Sequence, residues 1–187
     1  MQLESSSTSR EQLSFQQFKK EVLHDYKIAV ISRECSIIGR REVLTGKAKF
    51  GIFGDGKEVP QLAMAKAFKK GDFRSGYYRD QTFMMAIGEL TPQQFFAGLY
   101  AHPSIKADPM SGGRQMGGHF LTHSLDENGE FKNLTEQYNS TSDISPTAGQ
   151  MPRMLGIAYA SKLFRNIDEV KNPKFSNNGN EISWGTI

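Results

Sequence analysis

The sequence predicts an α/β protein whose N-terminal part is mostly helical. Apolar side chains recur at three- and four-residue steps between Phe15 and Cys35, which is the pattern of a long helix. A second helical pattern follows residue 145, and residues 181–187 resemble a β-strand. Because a strand needs neighbours and no convincing strand precedes this one, we expect the chain to end on the first strand of an α/β core.

The first helix is predicted to begin behind Ser14, a candidate N-cap, and to run to about Gly46, where a Thr-Gly-Lys sequence indicates a stop. Its apolar positions form the stripe of an amphipathic helix: Phe15, Phe18, Val22, Leu23, Tyr26, Ala29, Val30 and Cys35.

Three shorter helices are predicted before residue 101. The first spans about 58–69 with a tolerable proline in its opening turn, and the second carries residues 83–87. The third has Thr91 as its N-cap and Pro92 in the first helical position. Residues 103–143 lack periodicity and are rich in Gly, Asn, Asp and Ser. Loops of this length are usually functional or disordered.

The last helix is predicted to begin near residue 145 or at Thr147, and to end near Asn166. Thr147 and Gln150 have the spacing of a capping box, in which each side chain bonds the other residue's backbone N–H.

A length of 187 residues is enough for one ordinary domain, or for a large piece of a longer protein. The net charge of +3 is spread along the chain, so nothing indicates a nucleic-acid partner. Cys35 is the single cysteine, which excludes an internal disulfide and favours a reducing cytoplasm. No apolar run is long enough to cross a bilayer, and we expect residues 1–13 to form a disordered tail.

Residues 75–80, with the sequence Ser-Gly-Tyr-Tyr-Arg-Asp, form a candidate anion site. The Arg79 guanidinium has a rigid fork of donors suited to phosphate or carboxylate, and the Tyr78 hydroxyl can add one more donor. A half-buried pair between Arg79 and Asp80, with aromatic packing, is the alternative interpretation.

A second candidate is the loop at residues 111–119, where four glycines surround an arginine and His119. Backbone amides there can approach an acidic ligand, and His119 can donate a proton or a hydrogen bond near neutral pH. A flexible polar loop is the alternative.

Three possible metal motifs fail on spacing or context. The Gly-Asp-Gly turn at 54–56 lacks a downstream asparagine before residue 101 and continues into a helix. His119 and His123 are four residues apart, but two glycines before them argue for a loop. Residues 126–129 lack the spacing and closing glutamate of a calcium loop. We therefore predict no metal ligand in this chain.

The motifs become specific when they are taken in series. Tyr-Arg-Asp at 78–80, Gly-Arg-Gln-Met at 113–116 before His119, Ser-Pro at 145–146 and Gln-Met-Pro at 150–152 occur in one order. That order resembles the α subunit, or α-like half, of the thiamine-diphosphate-dependent decarboxylating component of 2-oxo acid dehydrogenase complexes, and the branched-chain type is the most similar. The likeness covers about residues 17–187.

The resemblance implies a role for each matching residue. Tyr78 and Arg79 would hold the cofactor diphosphate, and Ser145, Pro146 and Thr147 would contact its aminopyrimidine ring. His119 would be the catalytic residue on the substrate side. The segment at 145–147 also belongs to a potassium loop in branched-chain relatives, but here a glycine at 149 replaces the threonine that the family often has.

The resemblance also implies the fold and the reaction. Residues 14–187 would form an incomplete thiamine-diphosphate-binding domain, mostly helical and ending on the first strand of its parallel sheet. Its magnesium motif would lie beyond Ile187, so the fragment itself would be inactive. The complete enzyme would decarboxylate a 2-oxo acid oxidatively and pass the acyl group to lipoamide.

The implied partners are a β subunit or a fused β-like half, the dihydrolipoyl acyltransferase component and a homo-oligomeric copy, with no nucleic acid and no membrane. Two alternatives remain open at this point. One is a transketolase-like thiamine enzyme, and the other is a non-enzymatic helical interaction module.

Overall fold

The structure, a computed structural model, describes residues 13–176 and 180–185. The predicted disordered tail therefore lies almost entirely outside the described residues. Within the described residues, five helices and three strands follow in chain order: α1 Phe15–Leu44, α2 Glu58–Ala67, β1 Phe73–Tyr77, α3 Gln81–Ala86, α4 Pro92–Leu99, β2 Asn139–Ile144, α5 Gln150–Asn166 and β3 Ser183–Gly185.

The sheet confirms the α/β class and corrects its strand count. β1 lies in the centre and pairs in parallel with β2 on one side and β3 on the other. The terminal strand is therefore the third in chain order, and not the first strand of the sheet. In register, Arg74 of β1 stands opposite Ser140 and Trp184. The two missed strands are short and polar, so they lack the apolar alternation by which a strand is recognised.

Helix α1 begins and ends as predicted. Ser14 and Gln17 form a capping box, in which the Gln17 N–H donates to Ser14 Oγ and the Ser14 N–H donates to Gln17 Oε1. After Leu44 the chain turns at Gly46, whose φ of +77° suits glycine.

Of the predicted apolar stripe of α1, Cys35 faces the core, but the large side chains from Phe15 to Val30 do not. The buried face is instead small and polar, and it consists of Ser32, Cys35, Ser36, Gly39 and Glu42. Gly39 allows the closest approach, because a Cβ there would lie 2.4 Å from the Phe53 ring. The outward face, which we call the α1 stripe, carries exposed Phe15, Val22, Tyr26, Val30, Ile37 and Leu44. Small side chains occupy the buried face because they let the neighbouring segments pack close to the α1 backbone.

The core lies between the helices and the sheet. Its fully buried centre is Phe83 and Met84 of α3, surrounded by Cys35, Phe68, Leu90, Phe95 and Phe120. Phe68 and Phe83 meet edge to face with their centroids 5.2 Å apart.

Helix α5 begins later than its predicted cap. Its N-cap is Gly149, and no side chain caps it, so the predicted capping box of Thr147 and Gln150 is wrong. Ala148 has a φ of +63°, which places the chain in a left-handed turn before the helix. α5 ends at Asn166 as predicted.

Candidate functional site

The loop after β1 is held by a carboxylate. Asp80, which is buried, accepts hydrogen bonds from the Tyr77 N–H at 2.9 Å and from Arg74 Nη2 at 3.0 Å. Gln61 of α2 supports the same loop by donating to the Arg79 carbonyl at 3.1 Å. The loop at residues 77–80 is therefore a fixed turn at the carboxyl end of β1, where parallel sheets commonly bind ligands.

Tyr78 and Arg79 lie side by side on this turn, and both are half-buried. Arg79 Nη2 donates to the Tyr78 hydroxyl at 2.8 Å, and the guanidinium lies 5.1 Å from the Tyr78 ring centroid. Hydrogen bonding by Tyr77, and then by Arg79, holds the pKa of Tyr78 below its ordinary value. A guanidinium and a phenol are thus presented together, as an anion site requires.

The alternative interpretation of this stretch, an ion pair between Arg79 and Asp80, missed the main partner of the carboxylate. Arg74, whose side chain is fully buried, forms an ion pair with Asp80 at 3.0 Å.

The loop after β2 reaches the same place. Thr147 Oγ1 lies 3.4 Å from the Tyr77 hydroxyl, and the Pro146 carbonyl accepts the Gly149 N–H at 3.1 Å. Pro146 and Thr147 are exposed, whereas Ser145 is half-buried. The structure therefore brings the loop at residues 145–147 beside the loop at residues 77–80.

His119 joins the two loops. Its Nε2 lies 2.7 Å from Ser145 Oγ, and its Nδ1 lies 3.0 Å from the Met116 carbonyl oxygen. Because a carbonyl can only accept, Nδ1 carries the proton in the neutral ring and Nε2 accepts from the Ser145 hydroxyl. The His119 ring also stacks near Tyr78, with centroids 6.4 Å apart and planes inclined by 24°.

Two glycines allow this approach. Gly118 has a φ of +91°, and a Cβ there would lie 2.7 Å from the Tyr78 carbonyl oxygen. At Gly54 a Cβ would lie 2.2 Å from the Arg79 carbonyl oxygen. The glycine turn at 54–56 therefore serves as packing under the loop at residues 77–80.

The arginine of the loop at 111–119 is not brought to the site. Arg114 is exposed and donates to the Ser111 carbonyl at 3.1 Å. The loop is organised instead by buried Asp108, whose carboxylate accepts from the Ser111 hydroxyl at 2.9 Å and the Gly113 N–H at 2.9 Å.

Sequence reasoning missed three charged residues that shape the site: Arg74, Asp108 and Asp143. Arg74 and Asp143 form an ion pair at 2.6 Å with both side chains fully buried. Arg74 and Asp143 lie on strands that the sequence did not predict, so no pattern marked them as buried. The one sequence feature that could have indicated Asp143 is its position, two residues before the Ser145-Pro146 pair.

The donor chemistry at the loop of residues 77–80 suits an anionic group. Arg79 and Tyr78 supply cationic and hydroxyl donors suited to a diphosphate. Across residues 13–176 and 180–185, no group of three or more His, Cys, Asp or Glu side chains could hold a metal ion. In the same ranges, no helix is long and apolar enough to cross a membrane.

Comparison with known proteins gives one informative similarity. The chain is 33% identical over 120 residues to the 2-oxoisovalerate dehydrogenase subunit alpha of Bacillus subtilis (strain 168). The match covers 64% of this chain and 31% of that relative, so the chain matches about a third of the relative's length. No family model matches the chain.

Proposed function

We propose that this chain is part of the α subunit, or of an α-like half, of a thiamine-diphosphate-dependent 2-oxo acid dehydrogenase. The observation that carries the proposal is the convergence of the loops at 77–80 and 145–147 with His119 at one edge of a parallel sheet. The similarity to an enzyme subunit named for 2-oxoisovalerate supports the same assignment.

In this proposal Arg79 and Tyr78 bind the diphosphate by charge-assisted hydrogen bonds. Residues 145–147 would contact its aminopyrimidine ring. Thiamine diphosphate, when bound, would supply the electron sink for decarboxylation of the substrate.

His119 stands on the substrate side. Its Nε2 accepts the Ser145 hydroxyl in the neutral ring, so the ring can take up a proton there, or turn its protonated edge towards a substrate oxygen. A small cleft beside it has a mixed lining, with Leu90, Met110 and Phe120 next to Gln94, Asp108 and Ser111. We propose a branched 2-oxo acid as the substrate class because the similar subunit is named for 2-oxoisovalerate.

The complete enzyme is proposed to pass the acyl group to lipoamide on a dihydrolipoyl acyltransferase. We also propose a cytoplasmic location, a β subunit or fused β-like half, and a homo-oligomeric assembly.

The decisive experiment is Arg79→Ala in the complete enzyme, with activity measured against thiamine diphosphate concentration at fixed magnesium. We expect the half-saturating concentration to rise about tenfold or more, since a hydrogen bond to a charged group contributes about 1.5–3 kcal/mol. The thermal midpoint should change little, because Arg79 is half-buried and bonded mainly to Tyr78.

The matched control is Arg41→Ala, which removes an exposed arginine from the last turn of α1. An interaction module without a cofactor would show no dependence on thiamine diphosphate in any variant. A transketolase-like enzyme would show the dependence, but would use aldose phosphates and not lipoamide as acceptors.

The α1 stripe is the surface we propose for subunit contact, because large exposed apolar patches usually mark interaction sites. Tyr26→Glu places a charge in its middle and should reduce co-purification with the β subunit. Lys20→Glu, on an exposed position of the same helix, is the control. If both variants assemble like the original protein, the stripe is not the contact surface.

A further inference from the structure

Arg74 connects the two candidate loops through the protein interior. Its Nη2 donates to Asp80 Oδ2 at 3.0 Å and to Asp143 Oδ1 at 2.6 Å, and its Nη1 donates to Ser140 Oγ. Asp80 closes the loop after β1, and Asp143 lies near the end of β2, just before the loop after it. One guanidinium therefore touches the bases of both loops.

The backbone leaves room for this guanidinium at one glycine. A Cβ at Gly76 would lie 2.0 Å from Arg74 Nη2 and 2.2 Å from Asp143 Oδ1. The third segment is attached as well, because the Asp143 N–H donates to the Phe120 carbonyl at 2.9 Å, next to His119. The cluster thus lies directly under all three parts of the candidate site.

The charges of the cluster do not balance if both carboxyls are ionised. Two carboxylates share one buried guanidinium, and the charge of Arg153 also acts on Asp143. Asp143 Oδ2 has no hydrogen-bond partner among the described residues. Complete burial, reinforced by Asp80, raises the pKa of Asp143 well above its ordinary value against the opposing pull of Arg74.

We propose that Arg74, Asp80 and Asp143 form a buried clamp that holds the loops at 77–80 and 145–147 in one relative position. Arg74 and Asp143 are positioning residues in this view, because they act through the loops and do not touch the cofactor themselves. The expected effect on cofactor binding rests on the proposed function. The coupling between the two loops is independent of that function, because it can be measured without a ligand.

Asp143→Ala is the informative change. It removes one acceptor but leaves Arg74 paired with Asp80, so no buried charge is left alone and the chain should fold. Asp143→Asn keeps an oxygen in the Oδ1 position and is the conservative rescue. Ser142→Ala removes a neighbouring hydroxyl that donates to the Asp143 carbonyl, and it is the matched control.

The first readout is hydrogen exchange in the complete protein without cofactor. The Tyr77 and Tyr78 amides, which donate to Asp80 Oδ2 and to the Ile144 carbonyl, report on the loop after β1. We expect Asp143→Ala to accelerate their exchange although the mutated residue lies on β2. Asp143→Asn and Ser142→Ala should match the original protein. Faster exchange confined to residues 141–149 would overturn the clamp, as would Asp143→Asn behaving like Asp143→Ala.

The second readout is cofactor affinity, by calorimetry and by activity. Asp143→Ala should raise the thiamine diphosphate dissociation constant about fivefold or more, with a smaller effect on kcat at saturating cofactor. An unchanged dissociation constant would overturn the positioning role. If the original protein binds no thiamine diphosphate at all, the proposed function fails, and hydrogen exchange still decides whether the clamp exists.

Discussion

Gly54→Ala tests whether the packing under the loop at 77–80 controls the candidate site. Gly54 lies in a turn that the sequence could have assigned to a metal, but the structure places it against the Arg79 carbonyl oxygen. An added Cβ would be 2.2 Å from that oxygen, where ordinary contact begins at 3.4 Å. One of the two segments must therefore move by about 1 Å.

The cost can be worked from the contacts that such a movement disturbs. Overpacking a close backbone contact costs about 1–3 kcal/mol, and loss of the Gln61 bond to the Arg79 carbonyl adds about 1 kcal/mol. We expect the free energy of unfolding to fall by about 2–4 kcal/mol, which lowers the thermal midpoint by roughly 4–16 °C for a chain of this size. The affinity for thiamine diphosphate should fall together with the stability, because Tyr78 and Arg79 lie on the displaced turn.

The assay is thermal unfolding together with cofactor titration, and Gly156→Ala is the control. Gly156 lies in α5 with open space around its Cβ position, so alanine there should be neutral or stabilise the helix by up to about 1 kcal/mol. If Gly54→Ala unfolds and binds cofactor like the original protein, the close contact does not exist and the geometry argued for the loop is wrong.

Three further predictions concern the scaffold. Glu58→Gln should remove a pH-dependent contribution to the free energy of unfolding. The hydrogen bond from Arg33 holds the pKa of Glu58 below its usual value. The ion pair therefore stabilises the fold above the unfolded pKa of about 4.3, and this stabilisation is lost as the pH falls through the folded pKa. Unfolding titrations of both proteins should therefore converge in acid, and a constant difference at every pH would contradict the ion pair. Phe83→Ala should cost about 3–5 kcal/mol in chemical denaturation, whereas exposed Val59→Ala should change stability by less than about 0.5 kcal/mol. Burial raises the pKa of Cys35 to about 11, so a thiol reagent at pH 8 should modify it only as fast as the chain opens, and rapid labelling of the folded protein would refute its burial.

The parts of the fold that the sequence predicts are those decided by local chemistry. The caps at Ser14 and Thr91 form as expected, because each bonds a glutamine three residues along and needs no distant partner. The cap expected at Thr147 fails for the opposite reason. The Thr147 hydroxyl lies near the Tyr77 hydroxyl at the end of β1, and the left-handed turn at Ala148 makes the helix begin later. A contact between distant segments thus displaces a local preference.

The side chains that face the core of α1 could not be chosen from periodicity. Its apolar residues follow a helical stripe, and the natural inference is that this stripe is buried. Burial in fact favours the side with Ser32 and Ser36, because Gln81 donates to the Ser36 hydroxyl at 2.9 Å and to the Ser32 carbonyl at 2.9 Å. Buried amides and hydroxyls satisfy each other there, and that pairing is visible only when both helices are in place.

The same cause links the two missed strands to the candidate site. β1 and β2 were not recognised because they carry buried polar residues, including Arg74, Ser140 and Asp143. Such residues are costly in a sheet unless they pair with one another, and a well-packed apolar core would often be as stable. Their pairing under two loops that carry Tyr78 and Ser145 therefore favours a positioning role over a role in stability alone. The strands that the sequence pattern does not reveal, β1 and β2, are therefore the ones that support the candidate site.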